Sequence, residues 1–211
     1  MTLFPAFLKL KERPVLVVGG GSIATSKISG LVQAGARVTV VSPKLSSRLA
    51  ESVRNREIEW LPKCFEPDDL DGKFLVLAAT SLRNLNASVY REAEKRQVLC
   101  NAVDDVEHCH FYYGSIVQRG DLQIAISTNG KSPALAQLLR KELEQQFGPE
   151  YAAWVEWLGA AREVLRAESI DPETIKRWLH LLASPQMLES FLDEANQPAA
   201  RKEAPDALSS W

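Results

Sequence analysis

The first hundred residues alternate between two hydrophobic rhythms. Val15–Val18 is a continuous apolar run, the pattern of a strand buried on both faces. Ile23–Gln33 then spaces Ile23, Ile28, Leu31 and Val32 at a helical period, and Gly35 ends it. Arg37–Val41 predicts a second strand, Leu45–Arg54 a helix and Ile58–Leu61 a third strand. Phe74–Ala79 predicts a fourth strand, Leu82–Arg96 a helix and Val98–Val103 a fifth strand. Strands that alternate with helices in this way predict an α/β fold, a parallel sheet with helices on both faces and right-handed crossovers.

After Asp104 the rhythm changes. Phe111–Val117 and Leu122–Ser127 read as two strands joined by a turn at Arg119-Gly120-Asp121, a hairpin rather than another crossover. Ser132-Pro133 opens a strong helix, with serine as N-cap and proline in the first helical position. Tyr151–Arg166, Pro172–Leu182 and Met187–Ala195 continue as amphipathic helices, with Trp154, Trp157 and Trp178 as candidate core residues. The last stretch has little to bury and predicts disorder. The expected division is therefore 1–112 for the parallel-sheet domain, 113–148 for a small strand-plus-helix region, 149–195 for a helical C-terminal domain and 196–211 for a tail.

Composition narrows the partners. The chain has 211 residues and a formal charge of −2, which gives no bulk attraction to nucleic acid or an anionic membrane. No apolar run approaches the roughly 20 residues of a bilayer span. The N-terminus carries no secretory pattern, and three cysteines without paired spacing fit a reducing compartment, so a cytoplasmic location is expected.

The chemistry starts where the first strand meets the first helix. Gly19-Gly20-Gly21-Ser22-Ile23-Ala24 fits G-x-G-x-x-[GA] in its required strand–helix context, which makes the first domain Rossmann-like. Gly19 allows a tight turn, Gly21 lets a pyrophosphate approach the helix N-terminus, and Ala24 allows close helix packing. The acidic residue that usually follows the second strand to bind ribose is absent. Ser42, Pro43 and Lys44 stand there, so the pattern leaves NAD and NADP both open.

Asp104 emerges from the end of the fifth strand, in Cys100-Asn101-Ala102-Val103-Asp104-Asp105. It is a candidate general base or metal ligand, with a turn or cap role as the alternative. His108-Cys109-His110 places two imidazoles on one face of an extended segment, but nothing else completes a zinc set. Ser127-Thr128-Asn129-Gly130-Lys131 offers hydroxyls, a glycine and a lysine just before a helix, a setting for an anion or for plain capping.

Taken together, "FLKLKERPVLVVGGGSIATSK", "AGARVTVVSP", "LAAT", "CNAVDD" and "GSIVQRGDLQIAISTNGKSPALAQLLRKELE" resemble the precorrin-2 dehydrogenase/sirohydrochlorin ferrochelatase family, which also forms the N-terminal part of siroheme synthases. The resemblance runs from about Leu3 to Glu144. It implies NAD-dependent oxidation of precorrin-2 to sirohydrochlorin, and leaves open the Fe2+ insertion that some members also perform. By position it assigns Asp104 to proton transfer and to transient Fe2+ binding. It places Gly19, Gly21, Ser22, Ile23, Ser42, Pro43, Lys44 and Thr80 along NAD. It places Asn101, Ser127, Thr128, Gly130 and Lys131 on the tetrapyrrole side. It also implies a homodimer built by the region after the first domain. Arg119 and Lys131 are candidate sources of positive potential for a polycarboxylate substrate. The chain departs from the family at Tyr112-Tyr113-Gly114, where a proline often precedes the residue matching Ser115.

Two other readings compete. A short-chain reductase needs Tyr-x-x-x-Lys, and no tyrosine here has lysine four positions on. A nucleotide-sensing regulatory module without catalysis usually keeps the acidic residue after the second strand, and has no use for the CNAVDD and STNGKSP segments.

Overall fold

The computed structural model describes residues 3–195. The predicted tail, 196–211, lies outside the described residues. Packing divides the chain after Tyr113 into two compact units.

In the first unit, five strands form one parallel sheet: β1 Pro14–Val18, β2 Arg37–Val41, β3 Glu59–Leu61, β4 Leu75–Ala78 and β5 Leu99–Ala102. Their order is β3-β2-β1-β4-β5. Helices α1 Ser22–Gln33, α2 Ser47–Arg54 and α3 Arg83–Lys95 connect them. Every central strand is apolar on both sides because both faces are covered. Val15, Val17, Val38, Val40, Leu75 and Leu77 join Ala24 and Ile28 of α1 in one core layer. Their alternating neighbours Leu16, Val18, Val41, Val76 and Ala78 pack with Val89 and Ala93 of α3 in the other. The period of two along each strand thus splits one apolar run between two cores. Full burial of each such side chain contributes about 1.5–3 kcal/mol.

Between β1 and β4 the direction of winding reverses. An open parallel sheet leaves a crevice there, outside the carboxyl ends of the strands. That crevice is where Gly19–Gly21 and Thr80 sit.

The second unit pairs β6 Ser115–Arg119 with β7 Leu122–Ile126, antiparallel, followed by α4 Pro133–Gln146. Helices α5 Tyr151–Ala167, α6 Pro172–Leu182 and α7 Pro185–Ala195 complete it. Trp154 is buried and stacks on Trp157 at 5.1 Å between ring centroids, with Phe191 of α7 against both. Trp178 is half-buried. The first hairpin strand begins at Ser115, four residues later than its apolar pattern suggests. Phe111 is drawn instead against the core of the first unit. Gly114 lies so close to the Ile126 carbonyl that a Cβ would meet it at 2.8 Å, and pairing starts only beyond it. Two short 3-10 turns, Pro67–Leu70 and Val106–His108, went unmarked by any periodicity.

Candidate functional site: a dinucleotide cleft and the carboxylate after β5

The three glycines do three different things. Gly19 has φ +117°, a region L side chains rarely adopt, and a Cβ there would lie 2.4 Å from the Ala79 carbonyl. Gly20 lets the loop after β2 come in: a Cβ would lie 2.2 Å from the Lys44 carbonyl, and the Gly20 carbonyl accepts from Ser46 N–H at 2.8 Å. Gly21 is the N-cap of α1, and a Cβ built on it meets nothing within 4 Å. Its open side is the space that a ligand at the helix start requires. No side chain caps α1 and no acidic residue lies in its first turn, so the positive end of the helix is available to an anion. These residues fit a pyrophosphate.

A cleft of about 430 Å³ opens at this point. Gly19, Gly21, Ser22 and Ile23 line one side, Ser42 and Pro43 another, and Thr80 a third. Lys44 is not among the lining residues. Its carbonyl accepts from the Ser42 hydroxyl at 2.8 Å, which fixes the turn after β2, while its side chain is exposed. The Ser42 carbonyl in turn accepts from the Trp60 indole at 2.8 Å.

Sequence reasoning missed the opposite wall. Phe65, Leu82 and Leu85 give it an apolar surface, and Cys64 is an exposed thiol on its rim. It also missed Asn86, which is buried under the turn after β4. The Asn86 carboxamide oxygen accepts from Thr80 N–H at 3.2 Å and from the Thr80 hydroxyl at 2.7 Å, and its amide donates to the Thr80 carbonyl at 3.0 Å. One buried amide therefore holds the Thr80 turn in a single shape. A polar residue at a buried helix position is the signal that could have found it.

Asp104 follows β5, two strands from the glycine turn in the same unit. It is exposed, lies outside the residues lining the cleft, and has φ +59°, a left-handed conformation uncommon for a non-glycine residue. Lys27 of α1 feels its charge: burial lowers the Lys27 pKa and the Asp104 carboxylate pulls it partly back. The Lys27 ammonium lies 4.0 Å from the Tyr113 ring centroid. Asn101 is buried on β5, where its amide donates to the Phe111 carbonyl at 2.8 Å and so ties down the segment that follows Asp104.

The two histidines are engaged separately. His108 Nδ1 pairs with the Asp105 carboxylate at 2.8 Å. His110 Nδ1 accepts from the Cys100 N–H at 2.9 Å, which leaves Nε2–H to donate to Glu94 at 2.7 Å. Tyr90 packs between the two rings. Among the described residues no three of His, Cys, Asp and Glu come together to hold a metal ion.

Ser127, Thr128, Gly130 and Lys131 belong to the second unit. They form the turn before α4, with Asn129 at φ +55° and Gly130 at φ +76°. The Thr128 hydroxyl accepts from Ser132 N–H and the Ser132 hydroxyl from Leu135 N–H, at 3.1 and 3.2 Å. Arg119 is not a free cation. It donates to the Phe147 and Glu144 carbonyls at 2.9 and 3.1 Å, and to the Gln118 carbonyl at 2.9 Å, so it clasps the end of α4 to the hairpin.

Comparison with known proteins agrees with this geometry. Residues 6–115 match the family described as "Putative NAD(P)-binding", and residues 119–146 match "Sirohaem biosynthesis protein central". Siroheme synthase 3 of Aeromonas hydrophila is 41% identical over 188 residues, covering 89% of this chain and 40% of its own length. A siroheme synthase of Photorhabdus laumondii is 44% identical over 163 residues, 77% of this chain and 35% of its own. The chain thus spans well under half the length of these relatives. The solved structure of SirC, a precorrin-2 dehydrogenase, superimposes with a TM-score of 0.76 at 27% identity, covering 91% of this chain and 98% of that one. With an uncapped glycine-rich helix start at the winding reversal and a match over 6–115, the chain belongs to the putative NAD(P)-binding family, joined here to the central segment of sirohaem biosynthesis proteins.

Proposed function

We propose that this chain oxidises precorrin-2 to sirohydrochlorin, with NAD+ as hydride acceptor, in the biosynthesis of siroheme. One observation carries the reading: a single packing unit holds both an uncapped dinucleotide seat and an exposed carboxylate just past a neighbouring strand. The kinship with SirC and with siroheme synthases supports the substrate.

When bound, NAD+ supplies the hydride acceptor; the chain supplies position and a base. Gly21 and the first turn of α1 hold the pyrophosphate, and the Asn86-locked Thr80 turn fixes the opposite wall. Asp104 takes the proton that must leave with the hydride, so the products are sirohydrochlorin, NADH and one proton. Asn101 supports the Asp104 side of the site from within β5, by holding the segment that follows, and a homodimer in the cytoplasm is the working form. Fe2+ is a second substrate at the same carboxylate, with the macrocycle nitrogens supplying the remaining ligands.

The test is anaerobic turnover of precorrin-2 followed by NADH absorbance. Asparagine tolerates the left-handed backbone of residue 104, so Asp104→Asn should fold, bind NAD+ normally and lose roughly 10²–10⁴-fold in turnover. Near-wild-type turnover in that variant removes Asp104 from its role, and no NADH or NADPH from the wild type removes the dehydrogenase. Sirohydrochlorin plus Fe2+ gives siroheme above the protein-free rate if the second step is present.

A further inference from the structure

The Lys27 ammonium is held in an unusual way. The side chain is half-buried on α1, seven residues into the chain beyond Gly20 and on the same helix whose first turn cradles the dinucleotide. Its head rests on the Tyr113 ring at 4.0 Å. Among the described residues no carboxylate lies within ion-pair distance of it and no oxygen accepts a hydrogen bond from it. An ammonium has three donors, and with only an aromatic face for company in the protein those donors are left to solvent or to a ligand oxygen. Asp104 is near enough for its charge to act on Lys27, yet does not close on it.

That arrangement answers an electrostatic conflict in the reaction proposed above. A macrocycle bearing many carboxylates has to come against Asp104, itself an anion. Like charges brought together out of bulk water oppose docking unless a cation lies beside them. We propose that Lys27, seated on Tyr113, is an anion seat for a carboxylate arm of the tetrapyrrole, and that it orients the macrocycle edge toward Asp104. The proposal rests on the tetrapyrrole reading and adds a substrate-binding residue that no motif marks. Tyr113 is part of it: the ring face steers the cation without competing for its N–H donors, which stay free for the incoming oxygens. Tyr113 also falls in the Tyr112-Tyr113-Gly114 segment, where the sequence departs from the family it resembles.

The experiment uses the full chain and two readouts. One is precorrin-2 turnover with NAD+. The other is equilibrium binding of sirohydrochlorin, followed by its own absorbance, which needs no catalysis. Lys27→Met should raise KM for precorrin-2 and weaken sirohydrochlorin binding by about tenfold or more, the loss expected when a charged hydrogen bond is removed. The kcat should stay within about threefold, and NAD+ affinity and the melting temperature should hold. Lys27→Arg should recover most of both losses. Tyr113→Leu, which keeps the cation and removes its platform, should give a smaller loss of the same kind. Unchanged KM and unchanged sirohydrochlorin affinity in Lys27→Met overturn the proposal. So does a fall in kcat at constant KM, which would assign Lys27 to Asp104 alone, and so does a loss that arginine fails to recover. A wild type that binds sirohydrochlorin without oxidising precorrin-2 sinks the dehydrogenase and leaves the anion seat to be judged on binding alone. A wild type that does neither sinks both.

Discussion

Helix α1 starts at Gly21 and helix α4 at Ser132, and both starts follow a turn rich in glycine and hydroxyl residues. The fold treats them in opposite ways. At α4 the Ser132 hydroxyl accepts from Leu135 N–H, Thr128 supports Ser132, and Pro133 occupies the first position where an N–H would be spare. At α1 the N-cap has no side chain, no acidic residue follows, and the space beside Gly21 is open. The second and sixth helices repeat the α4 solution, with Ser46 and Asp171 accepting from Leu49 and Thr174 N–H groups. Helices α3 and α5 also start without a side-chain cap; what sets α1 apart is that its N-cap is a glycine with open space beside it, on the wall of the cleft. The missing cap costs some stability and keeps donors for a ligand.

The sharpest way to break this contrast is to give α1 a cap of its own. Gly21→Asp adds a carboxylate at a position with ordinary φ of −87° and no steric obstacle. The melting temperature should hold or rise slightly, because aspartate caps at least as well as glycine. Dinucleotide affinity, measured by titration, should fall roughly 100-fold, since two anions about 5 Å apart repel by about 3 kcal/mol at the protein surface. Unchanged affinity would mean that the pyrophosphate sits elsewhere. The reciprocal change is Ser132→Ala, which should cost about 1 kcal/mol in denaturant unfolding and leave dinucleotide affinity untouched. A smaller effect tests the cleft rim. Cys64 is exposed there, whereas burial pushes the Cys100 thiol up to about 12 and raises Cys109. A thiol that stays protonated reacts slowly, so a disulfide reagent at pH 8 should modify one cysteine quickly. Saturating NAD+ should slow that modification a few-fold; equal rates with and without NAD+ would place the cofactor away from Cys64.

Much of the fold was legible because its signal is local. A strand buried on both faces reads as Val15–Val18 does, and an amphipathic helix reads as α1 does, whatever surrounds them. The hairpin was shifted because Phe111, Tyr112 and Tyr113 look like strand residues, while Phe111 is drawn to a distant core and Tyr113 to Lys27. The glycine motif announced the cleft, but which glycine does what depends on how near Ala79 and Lys44 come, and spacing carries no such distances. Arg119 illustrates the reverse error: as a basic residue at a turn it suggested substrate binding, and three backbone carbonyls take its donors. Asn86, Lys27 and the apolar wall at Phe65 and Leu85 are tertiary facts. Each is ordinary in its own helix or loop and becomes meaningful only through its neighbours across the sheet.

The left-handed backbone at Asp104 has a consequence for how this chain can change over time. Glycine would occupy φ +59° at no steric cost, so an inert version of the protein would sit deeper in its folding well, by about 1 kcal/mol. Drift toward stability and retention of a carboxylate pull against each other at this one position. Few residues relieve the tension: asparagine fits the backbone without the charge, and glutamate brings the charge with a poorer fit. The sequence space open to an active enzyme is narrower there than the exposure of the side chain would suggest.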